Sequence, residues 1–443
     1  MDGKSTNLIE VSIKQKKNTL TGRLNRAGMY AQFKVLEILA EEDKPLYMLF
    51  YKDSLVYGGE ISQETKGSFI EQTFRSGTLL EFHHPGLQLI APQKPLTIPN
   101  RNKLFPQLHQ HYSPHETASI ITTLDSFFDK EQLIEQINEI YSQLKRDGKH
   151  FKAYRVLRIL KEFVPESTAV QNQFHSLEFH YFHDIYTADL STLHEKDPLT
   201  FEQYCFENRF KSNEQTLLLQ EWKGQNRQLD SLLLWLETGE EHPSTQSIRE
   251  YTNTALQNVS MGSWIQILSY AKINPFNILP ESKSWLEEMV NEGEYEKAAN
   301  ALLPFINNLP DHFESMLETV WANLNAPFIA NHLDELIPAL EQMGASENGS
   351  QFNQLLSNLV SNLLQGNELS TVQQKLAPIK KRFPHSTTIR KIDHMAEISE
   401  DPESMMQLGQ YYAEFKQYDP AIECFSMEME FHPDEADPIW QLS

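Results

Sequence analysis

The sequence predicts a mostly α-helical protein built of antiparallel helix pairs and preceded by a small α+β domain. Three observations predict it. Strand-like apolar runs are confined to residues 7–91. Four prolines, Pro92, Pro95, Pro99 and Pro106, follow within fifteen residues. From Ser113 onward apolar residues recur at helical spacing, with Gly or Pro punctuation every 30–45 residues, an interval typical of repeat architectures. The expected organisation is a mixed α/β domain at 1–91, a Pro-rich linker at 92–112 and a helical-repeat domain at 113–443.

Within the first domain, Leu8 to Ile13 and Thr19 to Leu24 are rich in branched residues and fit strands. Met29 to Asp43 reads as a helix, with Phe33, Leu36 and Ala40 on one face and Pro45 after its end. Leu46 to Tyr51 and Leu55 to Ile61 flank Lys52-Asp53-Ser54 as a hairpin. Thr78 to His83 and Leu87 to Ile90 flank His84-Pro85-Gly86 as a second one. Proline lacks an N–H and fixes φ, so its density in the next segment argues for an extended connection.

The chain of 443 residues is long enough for two or three domains, and its 40 % apolar content supports packed cores. Net charge is −23, unevenly spread. Residues 1–110 carry 14 Lys/Arg and 11 Asp/Glu; residues 111–443 carry 24 and 50. The long helical part should therefore repel nucleic acid and anionic membrane and favour basic partners. Cys205 and Cys424 are the only cysteines, which suits neither a disulfide framework nor a CxxC site and points to a reducing compartment. The start of the chain has no apolar run of signal-peptide type, and no run approaches the roughly 18 apolar residues of a membrane helix. A cytoplasmic protein is expected.

Four segments of the helical part share one spacing of apolar, small and proline residues. The first is Ile137, Ile140, Tyr141, Leu144, Gly148, Ala153, Leu157, Leu160 and Pro165. The second is Trp285, Leu286, Met289, Gly293, Tyr295, Ala298, Leu302, Phe305 and Pro310, with Ser282 at an apolar slot. The third is Met405, Leu408, Gly409, Tyr412, Tyr418, Ala421, Phe425 and Pro433, departing at Lys416 and Glu428. A weaker fourth is Leu356, Leu359, Val360, Leu363, Val372, Leu376, Ile379 and Pro384, with bulky Val372 at the small slot. These segments resemble the tetratricopeptide repeat (TPR), a helix pair of roughly 34 residues. The stretches between them, 166–278 and 311–352, read as irregular helical pairs, with Ser231 to Glu237 and Phe313 to Leu324 as examples. Pro438 to Ser443 look like the start of one more helix. The resemblance implies a TPR-like α-solenoid, whose stacked units bury what a lone pair cannot.

No catalytic pattern emerges. Gly3-Lys4-Ser5-Thr6 echoes the end of a phosphate loop but lacks an upstream glycine and strand. His109, His111 and His115 lie close in sequence, with no carboxylate or Cys at ligand spacing, and read as surface histidines. Glu178, His180, His183 and Asp184 could share a helix face, yet the interleaved Phe179, Tyr181 and Phe182 favour a packed aromatic helix. The basic runs Lys14 to Lys17 and Lys380 to Arg382 read as solvated faces. No catalytic, cofactor-binding or metal-binding residue is assigned.

The resemblance implies a non-enzymatic scaffold or adaptor, whose acidic groove binds a basic or amphipathic segment of another protein. The alternative is an enzyme or ligand-responsive regulator acting through residues 1–91, with His83-His84 as acid–base candidates and the repeats as a targeting arm.

Overall fold

Strand alternation starts the N-terminal sheet: Val11 and Ile13 of β1 (Glu10–Gln15) are buried, while Glu10 and Lys14 face water. The computed structural model describes residues 9–15, 18–40, 43–61, 66–239, 244–332, 335–336 and 349–431. Gly3 to Thr6, Leu8, Lys16 and Lys17, Pro433, and Pro438 to Ser443, all singled out above, lie outside the described residues. Most described residues are helical, and the strands are confined to the N-terminal part.

The strands after β1 are β2 (Asn18–Tyr30), β3 (Phe33–Leu39), β4 (Pro45–Tyr51), β5 (Ser54–Glu60), β6 (Thr78–Leu80) and β7 (Leu96–Thr97). Their order is β5-β4-β3-β2-β1-β7, and β6 joins β2 beyond the end of β1. All pairs are antiparallel except β1 with β7. The expected hairpin at Lys52 is present, with Tyr51 opposite Ser54.

Three local expectations are corrected. Met29 to Asp43 is not a helix: it holds the end of β2, a two-residue turn at Ala31-Gln32 and β3. Phe33, Val35, Leu36 and Ile38 are all buried, so both faces of β3 are covered, and a strand covered on both sides loses the alternation that identifies it. Leu87 to Ile90 is one helical turn (α2), so the second hairpin is absent and β6 pairs with β2 instead. Residues 92–112 are not an extended linker. They hold β7, a 3₁₀ turn at Arg101–Lys103 and α3 (Leu104–His111), whose Leu104 and Leu108 are buried. Pro106 falls in the first turn of α3, where its missing N–H costs nothing. A helix absent from the sequence reading, α1 (Phe69–Ser76), starts on a Ser68 side-chain cap.

The chain divides into two compact units, Met1–Ala271 and Lys272–Ser443, not at the prolines. The reason is a shared core. Sheet residues Val35, Tyr47 and Leu49 belong to one buried cluster with Ile120 and Leu124, Leu133 and Ile137, and Leu157. The last five come from α4 (Pro114–Thr122) and the residues that follow it, α5 (Lys130–Arg146) and α6 (His150–Phe163). α4 is fixed at its start by a reciprocal capping box between Ser113 and Glu116, with Pro114 in the first turn.

Helix pairs form where the shared spacing put them. α5 packs on α6. In the second unit, Glu281–Asn291 packs on Tyr295–Leu302, and Met405–Glu414 packs on Tyr418–Phe431. The turn residues Gly148, Gly293 and Lys416 all lie in the left-handed region, at φ of 71°, 76° and 59°. Each is followed by an N–H that reaches back five residues: Lys149 to Leu144, Glu294 to Met289 and Gln417 to Tyr412, at 2.8–2.9 Å. This is the Schellman closure of a helix end. The small residues Ala153, Ala298 and Ala421 that follow are buried. A Cβ on Gly409 would sit 2.6 Å from the Phe425 ring, so the two helices cross too closely there for any side chain. Ser282, the polar departure, is fully buried and donates to the Leu279 carbonyl at 2.6 Å.

A further pair repeats this geometry in a stretch read as irregular. Between α11 (Ser212–Gly224) and α12 (Gln228–Thr238), Asn226 takes φ 59° and the Arg227 N–H reaches the Trp222 carbonyl at 2.8 Å. Ser231 fills the small slot, and Leu218, Trp222 and Trp235 are buried. The pair Gly349–Leu364 and Leu369–Arg382 also packs, but Asn367 closes its turn by donating its side-chain amide to the Leu363 carbonyl at 2.8 Å.

A left-handed turn residue with a Cβ carries a penalty of about 1–2 kcal/mol. Lys416→Gly should therefore stabilise the second unit by roughly 0.5–1 kcal/mol, and Gly148→Ala should destabilise the first by about 1 kcal/mol. Urea unfolding midpoints of the two variants against the parent check both signs.

Candidate functional site

Two hairpin tips lie side by side in the first unit, and both are strained. Ala31 in the β2–β3 turn has φ 49°, Lys52 in the β4–β5 turn has φ 54°, and the Lys52 N–H donates to the Gln32 carbonyl at 2.6 Å. Left-handed backbone at non-glycine residues persists where surrounding contacts over-determine it, often at functional sites.

The contacts come from three helices. Arg227, at the start of α12, donates from Nη2 to the Ala31 carbonyl at 2.9 Å and from Nε to Asp230 at 2.6 Å. Its Nη1 bonds Glu202 of α10 (Pro198–Glu207), which also accepts from Trp222 Nε1 at 2.6 Å. Lys34 of β3 reaches Asp230 at 2.6 Å and Asp53, at the exposed rim, at 2.8 Å. Gln32 donates to the Leu199 carbonyl at 3.1 Å. Lys34, Glu202, Arg227 and Asp230 are all buried, two of each sign. Burying each ion costs several kcal/mol, which only close pairing of this kind offsets.

Beside this cluster is a cavity of about 200 Å³, lined among others by Tyr51, Lys52, His115, Glu116, Arg155 and Gln225. His115 is buried, with Nδ1 3.6 Å from the Asp197 carboxylate. Asp197 is itself fully buried; it accepts from Tyr186 at 2.7 Å and Thr200 at 2.9 Å and caps α10. Burial pulls the His115 imidazole down to about 4 despite Asp197, so the ring is neutral at neutral pH. Glu116 accepts from the Tyr51 hydroxyl at 2.9 Å and the Ser113 N–H at 3.1 Å. Burial would raise its pKa, but bonds from Ser113 and Tyr51 outweigh that and hold it below the usual range. Three buried polar atoms of the lining, His115 Nε2, Arg155 Nε and Gln225 Oε1, have no hydrogen-bond partner among the described residues. Gln32 and Leu199 also line a larger cavity of about 520 Å³ that includes Lys130, Arg158 and Asp125. Burial pushes the Asp125 carboxyl up to about 6, although it accepts from the Phe69 N–H.

Of the histidines read from sequence as surface groups, His109 and His111 are exposed, but His115 is not. It is the second residue of α4, beside Asp197 at the start of α10, and its neighbours in sequence gave no hint of that packing. Glu178 pairs with Lys145 at 2.9 Å and His150 at 2.8 Å, His183 lies 3.0 Å from the Tyr154 hydroxyl, and Asp184 faces water. That set is therefore not brought together. His83 is exposed, and half-buried His84 accepts from the Gly86 N–H and packs on Tyr270. Neither of the two cavities touches them. Among the described residues no group of three or more His, Cys, Asp or Glu is placed to hold a metal ion, and no helix is long and apolar enough to cross a membrane. Sequence reading missed Lys34, Glu202, Arg227 and Asp230. The one available signal was Arg227 and Asp230 at i, i+3 straight after a turn, beside a Glu202 flanked by apolar Phe201, Cys205 and Phe206. No protein-family model matches the chain, and no curated protein matches it in sequence.

Removing Arg227 would leave the buried Glu202 carboxylate without its cation and Asp230 with Lys34 alone. Arg227→Ala should cost about 3–5 kcal/mol, read by urea unfolding, whereas Lys145→Ala at the exposed pair with Glu178 should cost under about 1 kcal/mol. The pH dependence has a definite sign. His115 falls from an ordinary 6.5 to about 4 on folding, so its contribution is complete above pH 6.5 and lost as pH falls through about 4. The charged groups acting on it are Asp197, Arg155, Glu116 and Arg158. His84, also pulled to about 4 by burial, acts in the same window. His115→Gln should flatten, without abolishing, the loss of stability between pH 6.5 and 4, measured by unfolding midpoints at three pH values. An unchanged slope would contradict this account.

Proposed function

We propose that the protein is a non-enzymatic protein-interaction scaffold or adaptor of tetratricopeptide-like type. The observation that carries the reading is an apolar stripe left in water on the helix Tyr418–Phe431. Tyr418 and Ile422 are 62 % and 61 % exposed, and Met429, on the same face, is 40 % exposed. Residues at these spacings are neighbours along one side of a helix. Ala421, Cys424 and Phe425, on the adjoining side, fill the core instead. Clustered apolar exposure marks contact surfaces, whereas scattered single residues do not.

The same helix carries Asp419, Glu423, Glu428 and Glu430. A partner with apolar anchors and basic flanks, such as a basic amphipathic helix, matches that pattern. The recurrent left-handed turn and small-residue crossing support kinship of the helix pairs with tetratricopeptide units. The two cysteines are free and buried, in keeping with a reducing compartment such as the cytoplasm.

Replacing Tyr418, Ile422 and Met429 together by serine tests the reading in the full chain. Proteins captured by the parent and lost with the variant, at unchanged thermal stability, are the expected outcome. An identical captured set from both would sink it.

A further inference from the structure

We propose that the 200 Å³ cavity beside the hairpin tips binds a small monocarboxylate that carries its own hydroxyl or amino donor. The inference is independent of the scaffold reading, because every residue it uses lies in the first unit.

The cavity's charges are unequal in how far they are already engaged. Its two carboxylates are taken: Glu116 by Tyr51 and Ser113, Glu202 by Arg227 and Trp222. Its two cations are engaged less. Neither Lys52 nor Arg155 has a carboxylate within 4.0 Å among the described residues; Arg155 donates from Nη1 to the Lys196 carbonyl at 3.4 Å, and its buried Nε–H has no partner. A ligand anion is the group that answers both. The orphaned acceptors set the second requirement. His115 has Nδ1 3.6 Å from Asp197, so in the neutral ring Nε2 is a buried acceptor without a donor, and Gln225 Oε1 is a second; both residues line the cavity. A buried polar atom without a partner keeps its full desolvation penalty. Three of them on residues that line one polar space are the reason to look for a polar ligand there.

Size and charge narrow the class. At about 30 Å³ per water-sized share of volume, the cavity of about 200 Å³ has room for roughly six or seven waters, and so for a small organic molecule rather than a nucleotide or peptide. A dianion would be repelled by Glu116 and Glu202, so one negative charge fits better than two. A hydroxy acid or small amino acid meets every demand: its carboxylate faces Arg155 and Lys52, and its O–H or N–H faces His115 and Gln225. Lys52, whose backbone is left-handed at φ 54°, is one of the residues lining the cavity.

Calorimetric titration of the full chain with D-glycerate and with L-serine tests the proposal. Propionate, which lacks the donor, glycerol, which lacks the carboxylate, and inorganic phosphate serve as controls. Binding of at least one probe is expected, weakened roughly tenfold or more in Arg155→Gln, as for loss of a charged hydrogen bond. His115→Gln should weaken it too, and binding should shift the Nε2 resonance of one histidine in the parent. Circular dichroism identifies a variant that fails to fold, and Lys52→Gln, at a partly exposed turn, then supplies the same test. The proposal is overturned if neither probe binds, if propionate, glycerol or phosphate binds as tightly, or if folded Arg155→Gln and Lys52→Gln bind like the parent.

Discussion

The buried Arg227 guanidinium is the constraint on which the first unit depends. One of its arms holds the carbonyl of a strained hairpin tip, and the others hold carboxylates from α10 and α12. Sheet and helices are thereby tied through a single planar group with fixed donor directions, which a lysine could not imitate. The arrangement is also specific in a way apolar contact is not. A slip of the β2–β3 turn by one residue would leave an uncompensated charge inside the protein, so the register of the hairpin and the placement of three helices are decided together. This accounts for a compact unit that runs to Ala271 and ignores the proline cluster.

A second, local constraint shapes the helix pairs. Four of them end their first helix with a left-handed residue and a five-residue back-bond, and three begin the second with a buried alanine. These demands act within a few residues, so they can be read along the chain. The pair 212–238 escaped because other residue types meet the same demands: Asn226 tolerates the left-handed turn, and Ser231 is nearly as small as alanine. Pattern reading recovers a physical requirement only when the usual residue supplies it.

The rest of the fold was hidden for a different reason. Arg227 and Ala31 are 196 residues apart, and Gln32 and Leu199 are 167 apart. No window along the chain contains both partners. The burial of His115 has the same origin, since Asp197 and α10 come from far downstream. The error over Met29 to Asp43 is more instructive. Phe33, Leu36 and Ala40 satisfy a helical period, and only the covering of both strand faces, by neighbours the sequence does not name, makes β3 the outcome. Proline density misled because Pro106 sits in the first turn of α3, where a missing N–H is harmless, and Pro95 and Pro99 flank the two-residue β7 without entering it.

Charge balance gives the cavity its meaning. The chain has 61 acidic side chains against 38 Lys and Arg, so a cation near its surface has an excess of carboxylates to choose from. Many lysines do find one: Lys145, Lys223, Lys297 and Lys380 are all within 3 Å of a carboxylate oxygen. Lys52 and Arg155 stand at one cavity with carboxylates nearby, yet those carboxylates are already bonded elsewhere, by a tyrosine, a helix cap, a tryptophan and Arg227. Structural bonds that occupy the acids while leaving the bases without a carboxylate partner create an anion-receptive space inside an acidic protein. Net charge opposes such a space, so it exists only because the surrounding hydrogen bonds hold it.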